Sequence, residues 1–219
     1  MIGIRRHAAG ALARVAMCGA LVVPLDSAVG WEVLRFSRIP PNEVTFGAAG
    51  LRIDVRRSAG PVVYPLRAPL IVRRVRATGV VSQALVLSAP GVQGRSGADD
   101  YAVRVGLVEA GTRRLGRVQR VAAAAWVKRL FALAPVGTGI SQVRFLNVAE
   151  PGGQTGAARR HPLSDLVYEH VVTTLDAQRR FVIDHQLERP TTVVALWLSS
   201  DGDDTASTFS VTLERLELD

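Results

Sequence analysis

Apolar and polar residues alternate along short segments through most of this chain. Residues 51–56 alternate strictly, which places Leu51, Ile53 and Val55 on one face of a predicted strand. Residues 101–108 alternate in the same way. Such segments recur roughly every ten residues with turn residues between them, which is typical of a β-sandwich.

The carboxyl-terminal part of the sequence has the clearest pattern. An apolar run at 192–198 is followed by an Asp-Gly turn at 201–202 and by a second run at 207–218. Two strands around an Asp-Gly turn predict a hairpin or a crossing between sheets.

Two segments carry helical signals instead. Between 115 and 130 the apolar residues fall at spacings of three and four, which predicts an amphipathic helix, or a helix that gives way to a strand in its second half. Asp176 is suited to cap a short second helix at 177–185, which would direct Phe181 and Val182 inward. The pattern therefore predicts a mainly β sandwich with one or two short helices.

The start of the chain has the three parts of a secretory signal peptide. Arg5 and Arg6 form a basic beginning, residues 15–25 carry no charge, and Ala28 and Gly30 are the small residues that precede a cleavage site. The apolar run is too short for a membrane span, which needs about 20 residues, and no later segment supplies that length. We therefore expect a periplasmic or secreted protein, with a buried amino-terminal helix as the alternative interpretation.

Cleavage is expected before Trp31. Residues 1–30 would then be a signal-peptide helix that contributes little to the core, and residues 31–219 would form a single domain. The only cysteine, Cys18, would be removed with the signal. The mature protein would then form no internal disulfide and would have no thiolate for catalysis or metal binding.

The net charge of +8 is basic, and basic surfaces attract nucleic acids, anionic lipids and acidic polymers. Lys128 is the only lysine among 27 basic residues, however, and the arginines are scattered along the chain. They form no basic stripe interleaved with aromatic residues, which proteins that bind single-stranded nucleic acids have. We therefore expect no nucleic acid partner, and an anionic envelope surface is an alternative partner.

Acidic residues near the carboxyl terminus form the leading candidate site. Asp201, Asp203 and Asp204 are followed by Thr205, and three carboxylates so close together repel one another unless a cation or an arginine balances them. Oxygen ligands of this kind suit Ca²⁺, which is the one metal or cofactor that the sequence suggests. An exposed turn, or an internal network of ion pairs and hydrogen bonds, would explain the same residues without a metal.

A second candidate group lies at the start of the strand predicted near residues 101–108, and it consists of Asp99, Asp100 and Arg104. In a strand, Asp100 and Arg104 share a face, and either could pair with the acidic loop at 203–204. An arginine–aspartate network that braces the ends of the sheet is one interpretation of this group. A polar ligand cleft is the other.

The histidines and tryptophans favour no specific chemistry. The three histidines that follow residue 30 lack the spacing of a zinc site, and His170 beside Glu169 suits an exposed strand or, alternatively, a general base. No nucleophile motif is present. The tryptophans all lie in apolar segments and are expected in the core, which counts against strong polysaccharide binding: Trp31, Trp126 and Trp197.

Several short segments occur in the order found in one family of bacterial proteins. They include 99–105 (DDYAVRV), 125–127 (AWV) and 194–205 (VALWLSSDGDDT). Together they resemble a family of exported domains of unknown function, whose expected fold is a jelly-roll sandwich like that of carbohydrate-binding modules. The chain departs from the family pattern at 70–75, where a tryptophan-rich segment is usual. The resemblance implies a jelly-roll-like antiparallel sandwich in an exported protein, and it implies no activity.

The sequence supports two functional hypotheses. The first is a non-catalytic binding or accessory domain for a glycan, another envelope component or a protein partner, with ligand contacts from Asp99, Asp100, Arg104, Asp201, Asp203, Asp204 and Thr205. The second is a hydrolase of envelope glycans that uses carboxylates of the same two acidic loops. The lack of a recognisable nucleophile and base in the sequence favours the first.

Overall fold

The computed structural model describes residues 20–219 except residues 90 and 163. This part of the chain is built mainly from strands, with two short helices. In chain order the elements are β1 (Leu21–Val22), β2 (Glu32–Val33), β3 (Glu43–Gly47), β4 (Gly50–Arg56), β5 (Ala59–Val81), β6 (Val103–Gly111), α1 (Arg117–Ala122), α2 (Ala125–Ala132), β7 (Gly139–Ala149), β8 (Ala158–His161), β9 (Ser164–Thr174), β10 (Arg180–Asp201) and β11 (Thr208–Leu218). No helix among the described residues is long and apolar enough to cross a membrane.

Within the described part, the strands form one 11-stranded hydrogen-bonded sheet. Its order is β3-β4-β11-β5-β10-β6-β7-β9-β8, with β1 beside β11 and β2 beside β5. Neighbouring strands are antiparallel except for β7 and β9, which are parallel. The connection between these two contains β8, which pairs with the far edge of β9.

The two longest strands, β5 and β10, pass through both layers of the fold. β11 pairs with β5 only over residues 75–81, whereas β6 pairs with β10 only over residues 193–199. The register between β5 and β10 shifts after Gln186 and again after Val193. Such irregularities bend a sheet, so one layer contains β3, β4 and β11 and the other contains β6 to β9.

The main hydrophobic core lies between these two layers. Leu51 and Ile53 of β4, Val105 of β6 and Leu198 of β10 line the same gap, which measures only about 10 Å³. A gap of that size holds no more than a single water molecule. Leu51, Ile53 and Val55 are all buried, as their alternation predicts. The prediction of a mainly β, jelly-roll-like antiparallel sandwich is confirmed.

A second, smaller core lies on the outer face of the layer that contains β6 to β9. Val108 of β6, Val143 of β7 and Trp197 of β10 pack there in one cluster with Leu130 of α2. α1 and α2 confirm the helix predicted at 115–130, although it is split into two pieces and no residue of α1 is buried. α2 therefore covers one part of this outer face.

The short helix predicted after Asp176 is wrong, because this segment is a turn followed by the start of β10. Oδ1 of Asp176 accepts hydrogen bonds from the backbone N–H of Gln178 (2.9 Å) and of Arg180 (2.7 Å). Phe181 is buried, whereas Val182 is 62% exposed. This alternation is that of a strand, since pairing with β5 outweighs the local helix signal.

The described amino-terminal residues belong to the packed domain. β1 pairs with the end of β11, and Val23 and Leu25 are only 2% and 6% exposed within the main core. The indole N–H of Trp31 donates a hydrogen bond to the carbonyl of Pro24 at 2.7 Å. The expectation that residues 1–30 contribute little to the core is therefore wrong for the described part of that range. The rest of the predicted signal-peptide helix lies outside the described residues.

Candidate functional site

A cleft of about 460 Å³ opens on the outer face of the layer that contains β6 to β9, beside α2. Paired strand positions form its floor. Ser199 of β10 pairs with Arg104 of β6, and Trp197 pairs with Gly106, which in turn pairs with Phe145 of β7. One side of the cleft is aromatic and the other side is acidic.

Gly106 allows the aromatic part of this floor to form. A Cβ atom at this position would lie 2.7 Å from the ring of Phe145 and 2.7 Å from the carbonyl oxygen of Trp197. Closely packed interiors do not accommodate contacts this short. Any side chain at residue 106 would therefore displace the Phe145 ring.

Trp126 of α2 forms the side wall of the cleft. Its ring meets Trp197 edge to face, with 6.1 Å between centroids, and meets Phe36 in the same way at 5.4 Å. Trp126 is half-buried: it packs against the second core and also lines the cleft, so the expectation of a core residue is only partly met for it. Trp31 does lie in the core, where it packs against Tyr64. Phe36 and Trp126, together with the floor residues Phe145 and Trp197, form the aromatic wall of the cleft.

Arg104 is at the centre of the acidic side. Its Nη1 pairs with Glu169 of β9, and its Nη2 donates to the backbone carbonyl of Asp99 at 2.5 Å. Its Nε lies 2.7 Å from Oδ2 of Asp201, close enough for an ion pair but without the geometry of a hydrogen bond. The guanidinium also lies 4.6 Å from the centroid of the Tyr101 ring. The charge of Arg104 is therefore balanced within the protein itself.

Asp99 and Glu169 share a second arginine, Arg159 of β8. Nη2 of Arg159 donates to Oδ1 of Asp99 at 2.6 Å, and its Nε donates to Oε2 of Glu169 at 2.7 Å. Oδ2 of Asp99 lies 2.9 Å from Nε2 of His161. Among the described residues, Asp99, His161 and Glu169 are a set of three metal-compatible side chains within 4.8 Å of one another. The arginines already pair with both carboxylates, which favours a structural network at this point.

Asp100 is buried and holds the acidic turn between β10 and β11 in place. Its Oδ2 accepts hydrogen bonds from the backbone N–H of Thr205 at 2.7 Å and from the Thr205 hydroxyl at 2.6 Å. That hydroxyl also lies 2.6 Å from the hydroxyl of Ser207. Asp100 and Thr205 thus connect the segment before β6 to the turn, and their contacts are structural.

Burial and neighbouring charges set the protonation of these carboxyl groups. Burial opposes the ionisation of Glu169, but the charges of Arg104 and Arg159 outweigh it and hold the pKa of Glu169 below its usual range. Burial raises the pKa of Asp201 despite the nearby charge of Arg104. Burial and the negative charges of neighbouring aspartates raise the pKa of Asp203 to about 6.

Asp203 and Asp204 differ from Asp99, Asp201 and Glu169, which pair with arginines. Asp203 is half-buried and Asp204 is exposed, and neither forms an ion pair with a residue of the described ranges 20–89, 91–162 and 164–219. A Ca²⁺ ion at Asp201, Asp203 and Asp204 stays a prediction. Because Arg104 already neutralises Asp201, such an ion would depend mainly on the other two carboxylates.

The structure brings all the sequence-predicted site residues to this one place. Six of them line the cleft, and Thr205 lies beneath the acidic turn. Sequence reasoning missed the roles of Arg159 and Glu169. A signal was present for the second, because Glu169 stands between Val167 and Val171 on one face of a strand. A carboxylate on an otherwise apolar strand face requires a buried countercharge.

The comparisons with known proteins give a distant likeness among solved structures. No family model matches the chain, and a search of curated proteins gives no match. Among solved structures, the chain is similar to a xylan-binding module CBM15, with 12% sequence identity and a TM-score of 0.36. The alignment covers 91% of this chain and 96% of the module. A likeness this distant carries no inference about a ligand, and membership of an exported family stays a prediction.

Proposed function

We propose that the protein is a non-catalytic glycan-binding domain whose ligand lies in the cleft, between the aromatic wall and the acidic side. The observation that carries this proposal is the half-buried Trp126, which lines the cleft beside Trp197 and Phe36. Aromatic rings offer an apolar face to the C–H groups of a sugar ring, and carboxylates accept hydrogen bonds from its hydroxyls. The cleft volume of about 460 Å³ falls within the range of small-ligand sites, about 300–1,000 Å³.

The ion pairs on the acidic side favour binding over catalysis. Asp99 is held by Arg159, and Asp201 is held by Arg104. A glycoside hydrolase needs one carboxyl group that gives a proton and a second that acts as base or nucleophile. Carboxylates fixed by arginines are poor candidates for proton exchange but give a rigid, preorganised surface for hydroxyl groups.

We also propose that the domain works in the periplasm or outside the cell. The support is the basic start at Arg5 and Arg6, with uncharged residues at 15–20 before the packed domain begins. Cleavage before Trp31 would remove Val23 and Leu25 from the core. The proposal therefore places the end of the leader before Leu21.

Calorimetric titration of the full chain with xylohexaose and cellohexaose tests the glycan proposal. We expect saturable binding that Trp126→Ala weakens by about two- to tenfold, because a lost aromatic contact is worth about 0.5–1.5 kcal/mol. Tyr168→Ala is the matched control, since Tyr168 is also half-buried but does not line the cleft. Equal losses in both variants, or no binding of any saccharide, would contradict the proposal.

One observation favours a second candidate function, hydrolysis of a glycan in the same cleft. A pKa of about 6 for Asp203 is the property that a general acid needs near neutral pH. If the protein is a hydrolase, new reducing ends should appear when it is incubated with a polysaccharide, and Asp203→Asn should abolish them. No release, or equal release by the variant, rejects this second function.

A further inference from the structure

The acidic side of the cleft is not electrically balanced. Arg104 and Arg159 are paired with carboxylates that lie deeper in the network, and His161 is paired with Asp99. Asp203 and Asp204 also line the cleft, yet they form no ion pair with another described residue. Asp100 also lacks an ion pair within the described part of the chain, but it is buried and accepts two hydrogen bonds from Thr205. The more exposed charges of the cleft that no described cation neutralises are therefore those of Asp203 and Asp204.

This local negative charge stands out because the chain as a whole carries a net charge of +8. The long-range field of such a protein repels cations, so a cation is attracted only where carboxylates lie close to it. The pKa of Asp203, raised by burial and then by neighbouring aspartates, reflects the same unbalanced charge. The mouth of the cleft is thus a local site for positive charge.

The aromatic wall restricts the kind of ligand that can carry this positive charge. A bare metal ion would use the carboxylates and gain nothing from the aromatic side chains that line the same cleft. A hydrophobic ligand would use the wall and leave Asp203 and Asp204 unpaired. A sugar ring with a free amino group uses both, because its C–H face packs on aromatic rings while its ammonium group pairs with carboxylates.

We propose that the cleft selects glycans whose sugars carry free, unacetylated amino groups, with the ring against the aromatic wall and the ammonium group between Asp203 and Asp204. This inference rests on the proposed glycan-binding function and names the ligand class for the same cleft. An N-acetyl group carries no charge and leaves both carboxylates without a partner. The unacetylated sugar gains two charge-assisted interactions, which are stronger than neutral hydrogen bonds.

The test compares three hexasaccharides with the same linkage and different substituents at one ring carbon. These are the hexamers of glucosamine, of N-acetylglucosamine and of glucose, all β-1,4-linked, titrated into the full chain at neutral pH. We expect the glucosamine hexamer to bind about tenfold or more tightly than the other two. The net positive charge of the protein repels the positively charged glucosamine hexamer, so non-specific electrostatic attraction cannot produce this preference.

Two double variants test the preference for free amino groups separately from glycan binding in general. Asp203→Asn/Asp204→Asn should abolish the preference, so that the three hexamers bind this variant with affinities within about twofold of one another. Asp26→Asn/Glu43→Gln, an equal change of charge at exposed residues outside the cleft, should preserve it. Equal or tighter binding of a neutral hexamer by the unaltered protein would overturn the selectivity and leave the glycan-binding proposal intact. Binding of none of the three hexamers, and none of xylohexaose, would overturn both.

A metal ion at the acidic turn is the competing occupant. Addition of millimolar Ca²⁺ should leave the affinity for the glucosamine hexamer within about twofold if the ammonium group is the intended cation. A large loss of affinity for the glucosamine hexamer, together with a Ca²⁺-dependent rise in melting temperature, would show that a metal takes this place and would overturn the proposal.

Discussion

Arg104 of β6 and Glu169 of β9 form an ion pair, although β7 lies between their strands in the sheet. The two side chains are only 8% and 3% exposed. Burial of both charges is costly, so the net contribution of such a pair to stability is small while it is intact. The pair matters because it fixes the acidic side of the cleft, and because removal of either partner would leave an unpaired buried charge.

Glu169→Gln should destabilise the protein by about 3–5 kcal/mol, because it leaves buried Arg104 and Arg159 without a shared countercharge. Urea unfolding at neutral pH measures the change. Asp184→Asn is the matched control, since Asp184 pairs with Arg74 at an exposed position. Its effect should be much smaller, because an ion pair at an exposed position contributes little to stability. Similar effects of the two substitutions would contradict the structural role of Glu169.

Removal of the segment before Trp31 should also destabilise the domain. A chain that begins at Trp31 lacks β1 and the buried side chains of Val23 and Leu25, and it loses the acceptor of the Trp31 hydrogen bond. We expect a loss of about 2–5 kcal/mol relative to a chain that begins at Ala20. Equal stability of the two chains would show that the packing of this segment is dispensable.

The same segment gives a prediction about processing. If the protein is exported and its leader removed, the mature amino terminus should lie at or before Leu21, because later cleavage removes part of the core. Amino-terminal sequencing of the exported protein decides this. A mature terminus at Trp31 would contradict it and agree with the cleavage site predicted from the sequence pattern.

The histidine pair of β9 and β10 predicts a loss of stability in mild acid. His170 and His185 lie edge to face at 5.0 Å, and burial lowers the pKa of both, with Arg144 opposing and Glu188 favouring their protonation. A folded-state pKa below the ordinary 6.5 means that the unfolded chain binds more protons, so stability falls as pH drops below about 6.5.

His185→Gln should reduce this acid sensitivity. The free energy of unfolding, measured in urea at several pH values between about 5 and 7.5, should decline less steeply with falling pH in the variant than in the parent. Parallel declines would show that the histidine pair does not contribute to the pH dependence.

Asp203→Asn should raise stability near pH 7. The folded-state pKa of Asp203, raised to about 6, lies above its ordinary value of 3.8, so ionisation between these two values costs stability as pH rises. The substitution removes this cost, with a gain of about 1 kcal/mol once solvent screening of the half-buried group is allowed for. The gain should vanish near pH 4. A gain that is the same at both pH values would contradict this account.

The alternation of apolar and polar residues correctly predicted strands at positions where the pairing with neighbouring strands agrees with the local residue preference. Leu51, Ile53 and Val55 are buried because alternation depends only on the geometry of an extended chain. The local pattern gave a wrong prediction after Asp176. This residue suits a helix cap, but it begins a turn, because the segment that follows forms its hydrogen bonds with β5 as part of β10. The local pattern also failed at residues 21–25, where an apolar run that suits a signal peptide pairs with β11 and fills the core.

The sequence by itself determined the mainly β fold and the acidic residues of the two loops, because both follow from residue types close together along the chain. Only the tertiary structure decided which carboxylates are paired and that Trp126 lines a cleft. Arg104, Glu169 and Asp201 are remote in sequence, and the sheet brings them into contact. Their charges pair within one network, whereas Asp203 and Asp204 line the same cleft as the aromatic wall without an ion pair to a described residue. No local pattern in the sequence encodes this difference.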